Sequence, residues 1–327
     1  MRRRGGIVGG LIASAVALTA CGSAHASAPR TQPVPVSGIS ISSSSMTPRR
    51  CGLPAQPGNS TLTVRVEGQN RLVRLHIPRG YRPDDRLPVV LSLHGSGSSA
   101  TRHAVGTGMD ATSDAHAFLL AFPEGQRKFG NGYSWNIPGT PTWQAHGPNE
   151  GSFLRQLVSL LHERYCADLD RVYAVGFSGG GRLLSQLACE PHPVMAALAV
   201  VGGLRAPIPC QSGPVPVLAI HGTGDLQNPY NGHGQPYWTY GIPEAAYRWA
   251  GHDGCAGPPT VTRTALGVTL TAYQDCRTET AVLLYTLAGK GHIWPVARTT
   301  GLDTNETVWR FFAEHPRGPV DRGHPRG

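Results

Sequence analysis

The chain has 327 residues, 40% of them hydrophobic and 15% charged, which suits one large folded domain and excludes a disordered polyelectrolyte. Its formal net charge of +9 is carried by the ends: residues 1–50 hold six arginines and no acid, and residues 315–327 hold three arginines against Asp321. The body between them is nearly neutral, which excludes the clustered basic surface that a nucleic-acid backbone requires.

At the N-terminus, Arg2, Arg3 and Arg4 precede an apolar stretch from Ile7 to Leu18 that is short for a bilayer span. Leu18-Thr19-Ala20-Cys21 follows and reads as a lipobox, with residues 1–20 as a lipoprotein signal peptide and Cys21 as the lipidation site. The competing reading is an ordinary secretory signal cleaved near Ala24-His25-Ala26. Residues 21–58, rich in Ser and Pro, are expected to form a tether, so the membrane is a partner through a lipid anchor only. Residues 59–315 form the folded body, and 316–327 are expected to be a disordered tail. Six cysteines remain after Cys21, an even number that suggests disulfides in an exported chain, and no Cys-x-x-Cys pair points to zinc. Connectivity does not follow from sequence. Cys255 with Cys276 is the one pairing suggested, because two short strand-like runs lie between them.

Along the body, Leu62 to Val66 and Leu72 to Ile77 alternate apolar and polar residues around a turn at Gly68-Gln69-Asn70, the pattern of an antiparallel hairpin at a sheet edge. Pro88 to Leu93 and Phe118 to Phe122 are apolar runs of the buried parallel-strand type. Gly151 to Arg164 carries apolar residues at helical spacing, Val172 to Val175 is a strand, and Leu183 to Cys189 is helical. Ala196 to Val201 and Val215 to Ile220 are strands, Ala281 to Leu287 is β-like, and Thr304 to Ala313 is a final helix. Strand and helix in alternation predict an α/β fold: a mostly parallel sheet with helices on both faces.

Gly176-Phe177-Ser178-Gly179-Gly180 matches Gly-x-Ser-x-Gly between a strand and a helix, the context in which a serine sits on a sharp turn with its hydroxyl exposed. A serine needs a base to take its proton and an acid to orient that base. Asp225, in His221-Gly222-Thr223-Gly224-Asp225 after a strand, is the candidate acid, and Asp303 is a rival that also suits a helix cap. His292, in Gly289-Lys290-Gly291-His292 after another strand, is the candidate base, whereas His94 and His221 are expected to satisfy backbone groups at strand ends. Leu93-His94-Gly95-Ser96-Gly97 follows the strand at Pro88 and offers the Ser96 amide, with that of Gly179, as an oxyanion hole.

These stretches, with Asp170-Arg171-Val172-Tyr173, Pro229-Tyr230 and Gly291-His292-Ile293-Trp294-Pro295, resemble the esterase family that includes extracellular polyhydroxyalkanoate depolymerases and feruloyl or acetylxylan esterases. The resemblance runs over roughly 60–315. It implies a single α/β-hydrolase domain, a Ser178/Asp225/His292 triad acting on esters, and no metal or organic cofactor. It also implies that Trp135, Trp294 and Tyr230 line the substrate pocket. The chain departs from its relatives in having Asn149-Glu150 where many carry Asp-Asp, and Ser96 where many depolymerases carry Cys. The expected substrates are short-chain, hydroxycinnamoyl or acetyl, or polyhydroxyalkanoate-type esters. The alternatives are a surface lipoprotein that binds such a ligand without turnover, or an acyltransferase on the same scaffold.

Overall fold

The computed structural model describes residues 52–207 and 209–318. The signal peptide, Cys21 and most of the expected tether therefore lie outside the described residues. In chain order the elements are β1 (Gly58–Val66), β2 (Gln69–Ile77), β3 (Leu87–Leu93), α1 (Ala100–Thr107), α2 (Asp110–His116), β4 (Leu119–Pro123), β5 (Arg127–Phe129), β6 (Gly132–Ser134) and α3 (Glu150–Tyr165). There follow β7 (Ala167–Phe177), α4 (Gly179–Leu187), β8 (Ala197–Val201), β9 (Val217–Gly222), α5 (Ile242–Asp253), β10 (Thr260–Ala265), β11 (Val268–Tyr273), β12 (Val282–Leu287), α6 (Ala297–Thr300) and α7 (Thr304–Glu314).

Ten strands form one sheet in the order β1-β2-β4-β3-β7-β8-β9-β12-β11-β10. The run from β4 through β12 is parallel throughout, and antiparallel hairpins flank it, β1–β2 on one side and β10–β11 on the other. β5 and β6 make a separate small hairpin. Successive side chains of a strand point to opposite faces, and the central strands are apolar on both. Val89, Leu91 and Leu93 of β3, with Leu198 and Val200 of β8, pack under α3, α4 and α5 through Phe153, Leu157, Leu184 and Trp249. Val90, Tyr173, Val175, Ala199 and Val201 face the other way and meet α1 and α7 through Ala104, Val308, Phe311 and Phe312. The expected sheet with helices on both faces is the observed architecture.

Element boundaries differ from the sequence expectations in instructive places. The first hairpin turns at Glu67-Gly68, with φ of 49° and 81°, so Gln69 and Asn70 already belong to β2. The helix after Ser178 starts at Gly179 rather than Leu183. Three consecutive glycines carry poor helix propensity, but a Cβ on Gly181 would meet Val200 Cγ1 at 2.5 Å, so packing against the sheet dictates them. Gly52 bridges to Tyr165 and the Leu53 N–H donates to the Arg164 carbonyl at 2.7 Å, so the last part of the expected tether is bound to the body. The tail is held as far as Arg317, whose guanidinium reaches the Pro193 and Met195 carbonyls.

Disulfides join Cys189 to Cys210 and Cys255 to Cys276. The second closes the hairpin β10–β11 at its root, as the two intervening strand-like runs suggested. Closing a loop with a sequence separation of 21 stabilises the fold by about 3 kcal/mol through the unfolded chain. The double variant Cys255→Ala/Cys276→Ala is therefore expected to melt roughly 5–10 °C lower in a circular-dichroism scan. An unchanged midpoint would mean that this edge contributes nothing to cooperative unfolding.

At the end of α5, Asp253 is fully buried, and one carboxylate oxygen accepts the Val215 N–H at 3.1 Å. The other has no hydrogen-bond partner among the described residues, and burial pushes the carboxyl up to about 7.

Candidate active site

The parallel strands deliver four loops to one end of the sheet, at the carboxyl ends of β3, β7, β9 and β12. The sharpest is at Ser178, between β7 and α4, with φ 51° and ψ −113°. A non-glycine residue in that conformation stores on the order of 1–3 kcal/mol of strain, and the surroundings hold it there. The Ser178 N–H donates to the Val201 carbonyl at 2.8 Å, and its carbonyl accepts the Arg182 N–H at 3.0 Å. Only glycine fits around the turn: a Cβ on Gly176 would lie 2.5 Å from the Gly180 carbonyl carbon, and one on Gly180 would collide with the Leu93 carbonyl oxygen. Ser178 is 8% exposed, and a Cβ on Gly95 would lie 3.2 Å from its own Cβ, so the β3 loop packs directly against it.

That β3 loop brings Ser96 to the first residue of α4. A Cβ on Gly179 would collide with the Ser96 hydroxyl and lie 3.0 Å from the Ser96 nitrogen. Among the described residues neither the Ser96 nor the Gly179 N–H donates to a protein acceptor. Two unspent amides, one at a helix N-terminus, are what a developing oxyanion requires.

The loop is braced from behind. The His94 Nε2 accepts the Gly125 N–H at 2.9 Å, which assigns the proton to Nδ1, and Nδ1–H donates to the Gly95 carbonyl at 2.9 Å. Trp135, expected to line the substrate pocket, is instead fully buried, and its indole N–H donates to the His94 carbonyl at 2.7 Å. Behind Trp135, the Asn136 N–H donates to Glu150 at 2.9 Å, and Glu150 pairs with Arg71 at 2.8 Å with both side chains almost wholly buried. The departure at Asn149-Glu150 thus has a structural account: Asn149 caps α3, and Glu150 anchors the strut beneath the β3 loop.

On the other side, β9 and β12 pair in parallel, with His221 opposite Thr286 and Gly222 opposite Leu287. Beyond the strands their loops stay joined: the Thr223 N–H donates to the Leu287 carbonyl at 3.0 Å and the Gly224 N–H to that of Lys290 at 2.8 Å. A Cβ on Gly222 would collide with the Lys290 carbonyl. This pairing brings Asp225 and His292 together, with His292 Nδ1 2.6 Å from Asp225 Oδ2. The imidazole stands 4.8 Å from the Phe177 ring, next to the elbow, and its Cε1 is 3.3 Å from where a Gly202 Cβ would be. With Nδ1 engaged, Nε2 is the nitrogen left to act as base.

Asp225 accepts three hydrogen bonds, from the Gln227 and Asn228 amides at 2.9 and 2.8 Å and from His292, and His221 Nε2 stands 3.2 Å from its Oδ2. Burial favours its neutral form, but the neighbouring His221, the bond from His292 and the Asn228 amide outweigh burial and hold the carboxyl well below the usual carboxylate range. The rival Asp303 caps α7, accepting the Glu306 N–H at 3.1 Å.

Asn228 was missed by sequence reasoning and ties the site together. It is 2% exposed and every polar group of it is engaged. Its N–H goes to Asp225, its carbonyl accepts His221 Nε2–H at 2.8 Å, its Oδ1 accepts Arg182 at 2.9 Å, and its Nδ2 donates to the Gly202 carbonyl. Asn228→Ala keeps the backbone bonds but strands Arg182 and the Gly202 carbonyl. It is expected to cost about 2–4 kcal/mol in urea unfolding and to lower kcat roughly tenfold with KM little changed. Loss of neither quantity would make Asn228 a bystander.

Trp294 is half-buried, bonds Asn305 at 3.1 Å and stands edge-on to His103 and Phe177. Tyr230 bonds the Thr286 hydroxyl at 2.7 Å beside His221. Both support the loops through these contacts.

A serine on a sharp strand-to-helix turn, joined loops bearing Asp225 and His292, and a mainly parallel sheet sandwiched by helices define an α/β-hydrolase fold. The family model described as Esterase PHB depolymerase matches residues 73–207. The NocK protein of Nocardia uniformis subsp. tsuyamanensis, which bears an esterase name, is 31% identical over 90% of this chain and 90% of its own length. Feruloyl esterase B of Piromyces equi is 27% identical over 68% of this chain, which spans only 42% of that longer protein. The solved acetyl xylan esterase from Aspergillus awamori shares the fold, with a TM-score of 0.59 at 15% identity, covering 78% of this chain and 99% of that one. The chain belongs to the PHB-depolymerase esterase family and is a carboxylic ester hydrolase.

Proposed function

We propose that Ser178, Asp225 and His292 form the catalytic triad of an exported esterase. The observation that carries this reading is the 2.6 Å bond from His292 Nδ1 to Asp225 on an imidazole packed beside the Ser178 elbow. His292 Nε2 takes the Ser178 proton as Oγ attacks the ester carbonyl, and the Ser96 and Gly179 amides hold the oxyanion. The tetrahedral intermediate collapses to an acyl-enzyme, and His292 gives the proton to the departing alcohol. Water, deprotonated by the same imidazole, releases the acid. Asp225 keeps the imidazole in the productive tautomer and balances its charge when protonated.

Export is supported by the disulfides, which persist in oxidising compartments. The substrate class is the one in the names of the relatives: acetylated or feruloylated polysaccharide, polyhydroxyalkanoate, or a small ester of the same acids. A fluorophosphonate probe, located by peptide mass spectrometry, is expected to label Ser178. Turnover of p-nitrophenyl acetate, methyl ferulate, acetylated xylan and polyhydroxybutyrate then ranks the acyl groups. Labelling elsewhere, or none with intact protein, would remove the basis for this triad.

A further inference from the structure

We propose that Arg182 and Arg205 form a carboxylate-binding subsite beside the nucleophile, so that favoured esters carry a second, ionised carboxylate. The proposal rests on Ser178 being the nucleophile. Ser178, Arg182 and Ser185 stand at i, i+4 and i+7, one face of α4 and its entry turn, and the Ser185 hydroxyl accepts the Arg205 N–H at 3.1 Å. At 1.5 Å rise per residue, Arg182 and Ser185 lie about 6 and 10 Å along the axis from Ser178, and Arg205 is held at Ser185. The loop that carries Arg205 passes directly behind the serine, since a Cβ on Gly203 would collide with the Ser178 carbonyl oxygen.

Neither guanidinium has an acidic partner within ion-pair distance among the described residues, whereas neighbouring Arg248 pairs with Glu244 at 2.9 Å. Arg182 donates one bond, to Asn228, and its buried Nε has no acceptor. Arg205 donates one side-chain bond, to the Tyr240 carbonyl at 3.0 Å. Aromatic rings flank both, with Arg182 5.5 Å from the Tyr237 ring centroid and Arg205 4.4 Å from that of Trp238 and 3.6 Å from that of Tyr240, and the Asp225 carboxylate offsets part of the burial cost at Arg182. Burial makes both charges costly and is the largest influence lowering each pKa, and for Arg205 the repulsion of Arg248 and Arg182 adds to it. Two partly desolvated like charges with unspent donors are what a carboxylate would relieve, through charge-assisted hydrogen bonds in an aromatic frame.

The test uses two matched pairs of esters at low salt. p-Nitrophenyl hydrogen glutarate against p-nitrophenyl pentanoate places the charge on the acyl side, and 3-acetoxybenzoate against 3-acetoxybenzamide places it on the alcohol side. In at least one pair the anionic ester is expected to have a kcat/KM at least tenfold higher. Arg205→Gln should cut the anionic ester at least tenfold more than its neutral partner, Arg205→Lys should restore part of the difference, and 0.5 M NaCl should erode it. Glutarate should also inhibit the native enzyme competitively where pentanamide does not, a readout that needs no variant. Equal or lower rates for both anionic esters, or a loss in Arg205→Gln shared equally by charged and neutral esters, would overturn the subsite while leaving the esterase reading intact. Failure to turn over any of the four esters would instead strike the Ser178 reading, and the subsite would fall with it.

Discussion

Replacing Ser178 by alanine is expected to lower kcat on a p-nitrophenyl ester by about 10⁴–10⁶-fold without altering the melting midpoint by more than about 1 °C. The rate falls because the only atom removed is the one that attacks. The amides of Ser96 and Gly179 remain, so a residue of catalysis over water survives. Stability holds because what keeps Ser178 in place belongs to its backbone: the N–H to Val201 and the carbonyl from Arg182. Alanine has the same Cβ, so the contact with Gly95 is unchanged and the positive φ is no more strained. A variant that retained even a tenth of the native rate would place the nucleophile elsewhere.

Asp225→Asn is expected to lower kcat about 10⁴-fold while KM stays within a few-fold. The native carboxylate accepts three hydrogen bonds across its two oxygens, and an amide has only one oxygen to offer. If that oxygen keeps the Gln227 and Asn228 amides, the NH₂ group faces His292 Nδ1. The imidazole must then turn Nδ1 into an acceptor and carry its proton on Nε2, where it cannot take one from Ser178. The same carboxylate contributes to folding with a definite sign. Its folded pKa lies below the unfolded value, so its stabilisation is present above the ordinary carboxylate range and is lost as pH falls through the folded pKa. Native protein should therefore lose more stability in acid than Asp225→Asn, as paired denaturant titrations at pH 7 and pH 3 would show. Parallel titrations with unchanged kcat would dismiss Asp225 as the partner of His292.

The central strands were legible because both their faces are buried, leaving short apolar runs that end in glycine. The positions now proposed as catalytic were legible for a related reason: Ser96, Ser178, Asp225 and His292 each follow such a run closely, where a parallel sheet exposes its loops. The elements that escaped are short or weakly patterned. In α1, Ala, His and Gly dilute the apolar stripe, and α5 starts at Ile242-Pro243, which reads as a turn until the helix beyond it is seen. The supporting polar groups escaped because each acts through a distant partner. Arg71 meets Glu150 across 79 residues and Arg182 meets Asn228 across 46, and neither separation leaves a local pattern. Trp135 shows the limit from the other side. An indole before a helix suits a pocket or a core equally, and only the His94 carbonyl above it decides between them.

Asp253, at the end of α5, gives folding a pH dependence opposite in sign to that of Asp225. Its folded pKa of about 7 exceeds the ordinary 3.8, so the native state holds a proton that the unfolded chain has released between those values. Stability contributed by this group is complete at the acid end of that window and drains away as pH climbs toward neutrality.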